Sequence, residues 1–290
     1  MIHYTDFPKA IEIQTATFCN GRCTICPHHD LSGQKPAGVM SVGLFKKIID
    51  QVGRGWGIRI IPYLNNEPFL DPFFIKRLEY IVDKCPDCEI EIATNASLLD
   101  RKMQDRMSGI IIRDLRLSVF GFSKNGYERI MTGLSWKRTK ANLDSMVKNK
   151  KFRKDIGQIS LVMIDYPGLS SADVKGARKY CLDNFLKFEL WGFLDRAGSV
   201  GRYRNGVHRE KIAGCEQCRP LERMHIGYAG KVILCSMDWK EEVILGNLNE
   251  NSVREIWHSR GYNLIRKNIY SSGPPPVICA KCKLAEPVRK

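Results

Sequence analysis

Between residues 11 and 193, short apolar runs alternate with longer stretches in which apolar residues return every three or four positions. Alternation suits strands, whose side chains point to opposite faces, whereas the longer spacing suits helices with one buried stripe. Strands are expected at 11–14, 57–63, 89–94, 114–119, 158–164 and 188–193. Ser41 can cap a helix in which Val42, Phe45, Ile48, Ile49 and Val52 form the buried face, and further helices fit near 73–82, 100–107, 136–148 and 172–184. Strand and helix in regular succession predict an α/β fold of six βα units on a parallel sheet. The periodicity leaves open whether the sheet is a partial barrel or a doubly wound open sheet. In both, ligands gather at the carboxyl ends of the strands. After about residue 200 the pattern changes, and Gly230 permits a tight hairpin between 224–228 and 231–234.

The chemistry that these strand ends could carry starts with three cysteines. Cys19, Cys23 and Cys26 form a Cys-x3-Cys-x2-Cys run just after the first strand. Four thiolates complete a 4Fe-4S cluster, so three at this spacing leave one iron open to another molecule. A zinc site is the competing reading, and His28 and His29 stand close by, but zinc knuckles come in pairs and none repeats here. A second constellation comprises Cys215, Cys218, Cys235, Cys279 and Cys282. Its closing Cys-x2-Cys offers two ligands from one loop, and a structural zinc is again the alternative. Cys85 and Cys88 form a further Cys-x2-Cys with no partner pair, read as reduced thiols in a turn. Cys181 falls inside a helix and reads as packed.

These motifs resemble the radical S-adenosylmethionine (radical SAM) superfamily, with barrel motifs in 15–198 and a tail, 215–282, similar to a SPASM or shortened twitch domain. The resemblance implies a partial (β/α)6 TIM-like barrel over 1–200 and a small cysteine-rich domain over 201–290. It implies SAM bound at the open iron of the Cys19/Cys23/Cys26 cluster, and reductive cleavage to a 5′-deoxyadenosyl radical. Glu67-Pro68 stands where the family has Gly-Gly-Glu-Pro facing the SAM amine, with Asn65-Asn66 replacing the glycines. Ile25 replaces the usual aromatic before the third cysteine, so adenine contact there would be aliphatic. Asn95 after the third strand, Ser118 at the end of the fourth and Ile164 at the end of the fifth match positions that contact SAM or substrate. Arg196, after the sixth strand, is the cationic candidate for the SAM carboxylate or ribose, suited to bidentate recognition. No cysteine lies between Cys235 and Cys279, which favours the single-cluster twitch version with Cys218, Cys235, Cys279 and Cys282 as ligands. Cys215 is then left over.

Composition narrows the setting. The chain has 290 residues, 46 Lys plus Arg against 31 Asp plus Glu, and a net charge of +15. The positive excess suits anionic small molecules or docking of an acidic reductant such as flavodoxin or ferredoxin. Basic residues are dispersed without a recognition motif, which argues against nucleic acid as partner. No apolar run reaches transmembrane length and no signal peptide opens the chain, so a cytoplasmic setting is expected, with the eleven cysteines as ligands and thiols rather than disulfides.

From the resemblance we expect an enzyme that oxidises or epimerises a polar small molecule such as a sugar, aminoglycoside, cyclitol or nucleotide-sugar. Eighteen residues precede Cys19, too few for the peptide-binding domain that many peptide maturases of the family carry. An epimerase would need a thiol hydrogen donor, for which Cys181 and Cys215 are candidates. The alternatives are a maturase of ribosomal peptides served by a separate recognition protein, a two-cluster electron carrier, and a zinc-binding interaction module.

Overall fold

The computed structural model describes residues 2–53, 57–201, 206–271 and 273–288. Six parallel strands occupy the first two thirds: β1 (Ala10–Ile13), β2 (Arg59–Ile61), β3 (Glu89–Thr94), β4 (Ile112–Ser118), β5 (Ile156–Asp165) and β6 (Lys187–Gly192). They pair in chain order, each with the next. The crossovers contain the helices Val42–Val52, Phe74–Lys84, Arg101–Met107, Trp136–Lys148 and Ser171–Asp183, so all five periodic stretches are helical. This is the partial (β/α)6 barrel expected from the sequence.

Local chemistry explains the helix starts. The side chains of Ser41, Asp100, Ser135 and Ser170 each accept a backbone N–H in the first turn of the helix that follows, satisfying donors that would otherwise lack partners. The helix Phe74–Lys84 has no such cap. Its start is held instead by a fully buried ion pair, Arg77 Nε to Asp71 Oδ2 at 2.7 Å. Ile48, Ile49, Leu78 and Ile81 lie in the core with no exposed surface to speak of, and burial of each such side chain contributes about 1.5–3 kcal/mol.

Beyond residue 200 the chain adds β7 (Ile212–Cys215), β8 (Arg223–Ile226), β9 (Lys231–Ile233), β10 (Ile244–Asn247) and β11 (Ala285–Pro287). The hairpin predicted around Gly230 is present as antiparallel β8 and β9, with Gly230 at φ +89°. Its position in the molecule was not legible in the pattern. β8 lies parallel to β1, with Ala10 opposite Arg223 and Ile13 opposite Ile226, so the main sheet runs β10-β9-β8-β1-β2-β3-β4-β5-β6. β7 and β11 form a separate antiparallel pair.

Two helices of the tail, Val253–Trp257 and Arg260–Tyr270, lie outside the sequence expectations. The first opens with a capping box between Ser252 and Glu255. In the second, the buried Arg266 guanidinium stacks 3.8 Å from the ring centres of both Tyr4 and Tyr262, tying the start of the chain to the tail. No helix among the described residues is long and apolar enough to cross a membrane.

Candidate functional site

The loop after β1 brings Cys19, Cys23 and Cys26 together. It is held from below by backbone bonds from Arg22 N to Thr132 O at 2.7 Å and from Thr24 N to Ile130 O at 2.9 Å. The three thiols act on one another electrostatically, and burial pushes all three up, Cys19 to about 12. A pocket that resists thiolates while placing three of them side by side is one in which a metal group supplies the missing positive charge. Among the described residues, no three His, Cys, Asp or Glu side chains converge tightly enough for a single metal ion.

Glu67 lies directly beside this loop, at 2% exposure, and its backbone N–H bonds to Phe18 O at 2.9 Å. Its carboxylate accepts from Thr94 Oγ1 at 2.7 Å and from Asn95 N at 2.8 Å, with Phe69 N more distant at 3.4 Å. Burial pushes Glu67 up to about 7 against those three donors. Asn95 continues the connection, its Nδ2 donating to Asn20 Oδ1 at 2.8 Å inside the cysteine loop. The strand-end residues Glu67 and Asn95 are therefore brought together, as a clamp on the loop. Pro68 opens the single turn Pro68–Leu70 behind Glu67, and Asn66 accepts from Leu64 N while its own Nδ2 is buried without a protein partner.

Ser118 ends β4 and Ile164 is the last residue but one of β5, two strand positions beyond Val162, the residue that pairs with Ser118. Ile25 is buried inside the cysteine loop. His28 is half-buried: its Nε2 lies 2.8 Å from Thr17 O and its ring meets Trp239 edge-on at 6.4 Å. Cys181 sits elsewhere. It is packed in the core near the carboxyl end of the helix Ser171–Asp183, where burial pushes its thiol up to about 11. Because that helix runs back against the strands, its carboxyl end lies at the opposite rim from the cysteine loop. Cys85 and Cys88 share a thiol hydrogen bond in their turn before β3.

The tail thiols assemble by strand pairing. Cys215 ends β7 and lies opposite Ala285 of β11, which follows Cys282 closely. Cys235 follows β9. Cys279 feels Cys235, Cys282 and Cys215, Cys282 feels Cys235 and Cys215, and burial raises all of Cys215, Cys279 and Cys282. Cys218 stands at the head of the turn Arg219–Glu222 in a left-handed conformation, φ +48°. Its backbone N–H bonds to Cys215 O at 2.8 Å.

Two arginines lie near these thiols, and the sequence reading named one of them. Arg196 is at φ +55° after β6, its Nη1 3.6 Å from Met237 Sδ, and it interacts electrostatically with Cys26 of the first group and with Cys235 and Cys282 of the second. Arg219 Nη1 donates to Cys235 Sγ at 3.5 Å and also bonds Ser236 Oγ. Beside Arg196, a cavity of about 250 Å³ is lined by Asp195, Ala197, Met237, Asp238, Trp239 and Lys281.

Inside the barrel the strands turn polar side chains toward one another. Tyr63 Oη donates to Glu91 Oε1 at 3.2 Å, Arg59 Nη1 reaches Glu91 Oε2 at 3.0 Å, and Arg116 bonds Glu91 as well. Arg223 and His225 on β8 reach Glu12 on β1 at 3.1 and 3.3 Å. Burial would push Glu12 up, but His225, Arg219 and Arg223 hold it down to about 2. Such an interior is unlike the branched apolar layers that fill most barrels. Sequence reasoning missed Glu12, although a lone carboxylate between Ile11 and Ile13 on a strand is a signal of this kind.

Comparison with known proteins supports the same picture. A family model described as the Radical SAM superfamily matches residues 13–181, and one described as an iron-sulfur cluster-binding domain, SPASM, matches 215–283. A relative from Niallia circulans, S-adenosyl-L-methionine-dependent 2-deoxy-scyllo-inosamine dehydrogenase, is 22% identical over 89% of this chain and 85% of its own length. Among solved structures, BtrN in complex with AdoMet and 2-DOIA matches with TM-score 0.62 at 19% identity, over 97% of this chain and 94% of that one. Streptococcus suis SuiB bound to precursor peptide SuiA matches with TM-score 0.72 at 14% identity, over 97% of this chain and 71% of that one.

Proposed function

Because the chain belongs to the radical SAM superfamily and carries an auxiliary iron-sulfur domain, we propose that it oxidises a polar small molecule of the cyclitol or aminoglycoside class. When bound, SAM and the first cluster supply a carbon-centred radical that takes one hydrogen atom from substrate. The residues of this chain do the rest. Cys19, Cys23 and Cys26 would hold the first cluster. The Glu67–Asn95–Asn20 clamp keeps their loop in place, Ile25, Asn66, Pro68, Ser118 and Ile164 would line the SAM site, and Arg196 would take the SAM carboxylate. For the auxiliary cluster, the family resemblance points to Cys218 with Cys235, Cys279 and Cys282, and Cys215 is the alternative fourth ligand, its thiol interacting electrostatically with Cys235, Cys279 and Cys282.

The observation that carries the reading is that Arg196 interacts electrostatically with Cys26 of the first thiol group and with Cys235 and Cys282 of the second. In an oxidation, loss of the hydrogen atom leaves an unpaired electron on substrate carbon. Loss of the hydroxyl proton and transfer of that electron to an acceptor, the role the auxiliary cluster would take, then complete a C=O bond. The polar barrel interior supports a hydrophilic substrate, and the likeness to the inosamine dehydrogenase supports a cyclitol. A low-potential donor protein would supply the first electron.

The test is anaerobic incubation of reconstituted, reduced enzyme with SAM and 2-deoxy-scyllo-inosamine. Release of 5′-deoxyadenosine with a product lighter by two hydrogens is expected. A peptide ligand in the SuiB match makes peptide maturation the second reading. Deoxyadenosine formation stimulated by peptides and by no cyclitol or aminoglycoside would replace the first reading with it. Cys235→Ala should still release deoxyadenosine but lose the oxidised product, and oxidation at the wild-type rate without the second cluster would remove that cluster as acceptor.

A further inference from the structure

Arg219 begins the short turn Arg219–Glu222 directly after Cys218 and is half-buried. Nε donates to Gln217 Oε1 at 2.8 Å, and Nη1 meets both Cys235 Sγ, at 3.5 Å, and Ser236 Oγ. A second donor, Met237 N, lies 3.5 Å from the same sulfur. Among the described residues, no carboxylate comes within ion-pair distance of Arg219 or Arg196. The charges that face Arg219 are those of Cys235, Cys215 and the buried Glu12 of β1.

A half-buried guanidinium with no carboxylate at ion-pair distance is costly unless a nearer negative group answers it. Here the answering group is a thiol sulfur that the preceding reading makes a cluster ligand. Hydrogen bonds to ligand sulfurs and nearby positive charge both favour the more negative, reduced state of a cluster. We infer that Arg219 is a positioning residue for electron transfer: by donating to Cys235 Sγ it raises the reduction potential of the auxiliary cluster and makes that cluster able to accept an electron. Glu12 acts in the opposite sense, because its carboxylate offsets part of the Arg219 charge. The chain of groups from the barrel interior through Glu12 and Arg219 to Cys235 thus couples the polar lumen to the poise of the cluster. This inference rests on Cys235 as a ligand.

The test is a redox titration of the reconstituted full-length enzyme followed by electron paramagnetic resonance, with both clusters read separately. In Arg219→Met, at the wild-type midpoint of the auxiliary cluster, its oxidised-to-reduced ratio should rise about tenfold, the scale of one lost charge-assisted hydrogen bond. In Glu12→Gln the ratio should fall. The Cys19/Cys23/Cys26 cluster should keep its midpoint in both. An unmoved auxiliary midpoint in Arg219→Met, or equal shifts of both clusters, overturns the inference. If Arg219→Met fails to hold the cluster, Glu12→Gln decides, and a ratio that is unchanged or rises overturns the inference. Iron content of Cys235→Ala separates the two failures. Undiminished iron there removes the ligand assignment, whereas loss of about half, with no shift in Arg219→Met, removes only the role of Arg219.

Discussion

At the scale of the residue, Glu67 ties the cysteine loop to the strand ends. Its carboxylate accepts from Thr94, Asn95 and, more distantly, Phe69, so it orders that loop through protein bonds. Glu67→Ala should weaken SAM binding by about tenfold, because buried donors are left unpaired and the Asn95–Asn20 link loosens. Calorimetry on the reconstituted protein checks this, and unchanged affinity would take Glu67 out of the site. The thiols of the same loop give a pH dependence. Burial raises Cys19 to about 12 and lifts Cys23 and Cys26 above their ordinary value. In the metal-free chain they are therefore protonated at neutral pH, and assembly of the cluster must release protons. While pH stays below these pKa values, each unit by which it rises multiplies the thiolate available to iron about tenfold. Reconstitution should accordingly be faster at pH 8.5 than at pH 7, with proton release measurable in weak buffer.

Among the elements, close packing behind β4 is the most exposed to test. A Cβ added at Gly121 would lie 2.5 Å from the backbone of Gly126 and Tyr127, at the start of the helix Lys124–Ile130. Backbone cannot step aside as a flexible side chain can. Gly121→Ala should therefore destabilise the protein by about 1–3 kcal/mol, visible as a lower thermal midpoint. A midpoint equal to that of the native protein would contradict this packing. The expected helices lie where the periodicity put them, because each start carries a capping side chain or, at Arg77, a buried ion pair. The two late helices escaped because their apolar faces pack on β7, β8 and the start of the chain, partners that a local pattern cannot reveal.

For the whole molecule, β8 is the joint. It closes the free edge of β1 with four registered pairs and carries Arg223 and His225 to Glu12. A chain ending at residue 200 would expose that edge together with an uncompensated Glu12, and an unpaired strand edge is a template for association. We expect such a fragment to aggregate, read by size-exclusion chromatography, and a stable monomer would show that the tail is dispensable to the barrel. The intact chain should hold about eight irons, and triple replacement of Cys19, Cys23 and Cys26 by Ala should leave about half. Stoichiometric zinc alongside one cluster's worth of iron would contradict the second cluster.

Spacing alone determined the six parallel strands, the helices between them and the three-cysteine loop at the end of the first strand. These are local matters: side-chain period, capping and ligands within eight residues of one another. The Gly230 hairpin belongs with them. Only the tertiary structure decided where that hairpin goes and that Arg219 reaches the sulfur of Cys235. The first of these relations joins residues more than two hundred positions apart, through strand register. A one-dimensional pattern shows that a residue is charged, but not which buried charge it will have to answer.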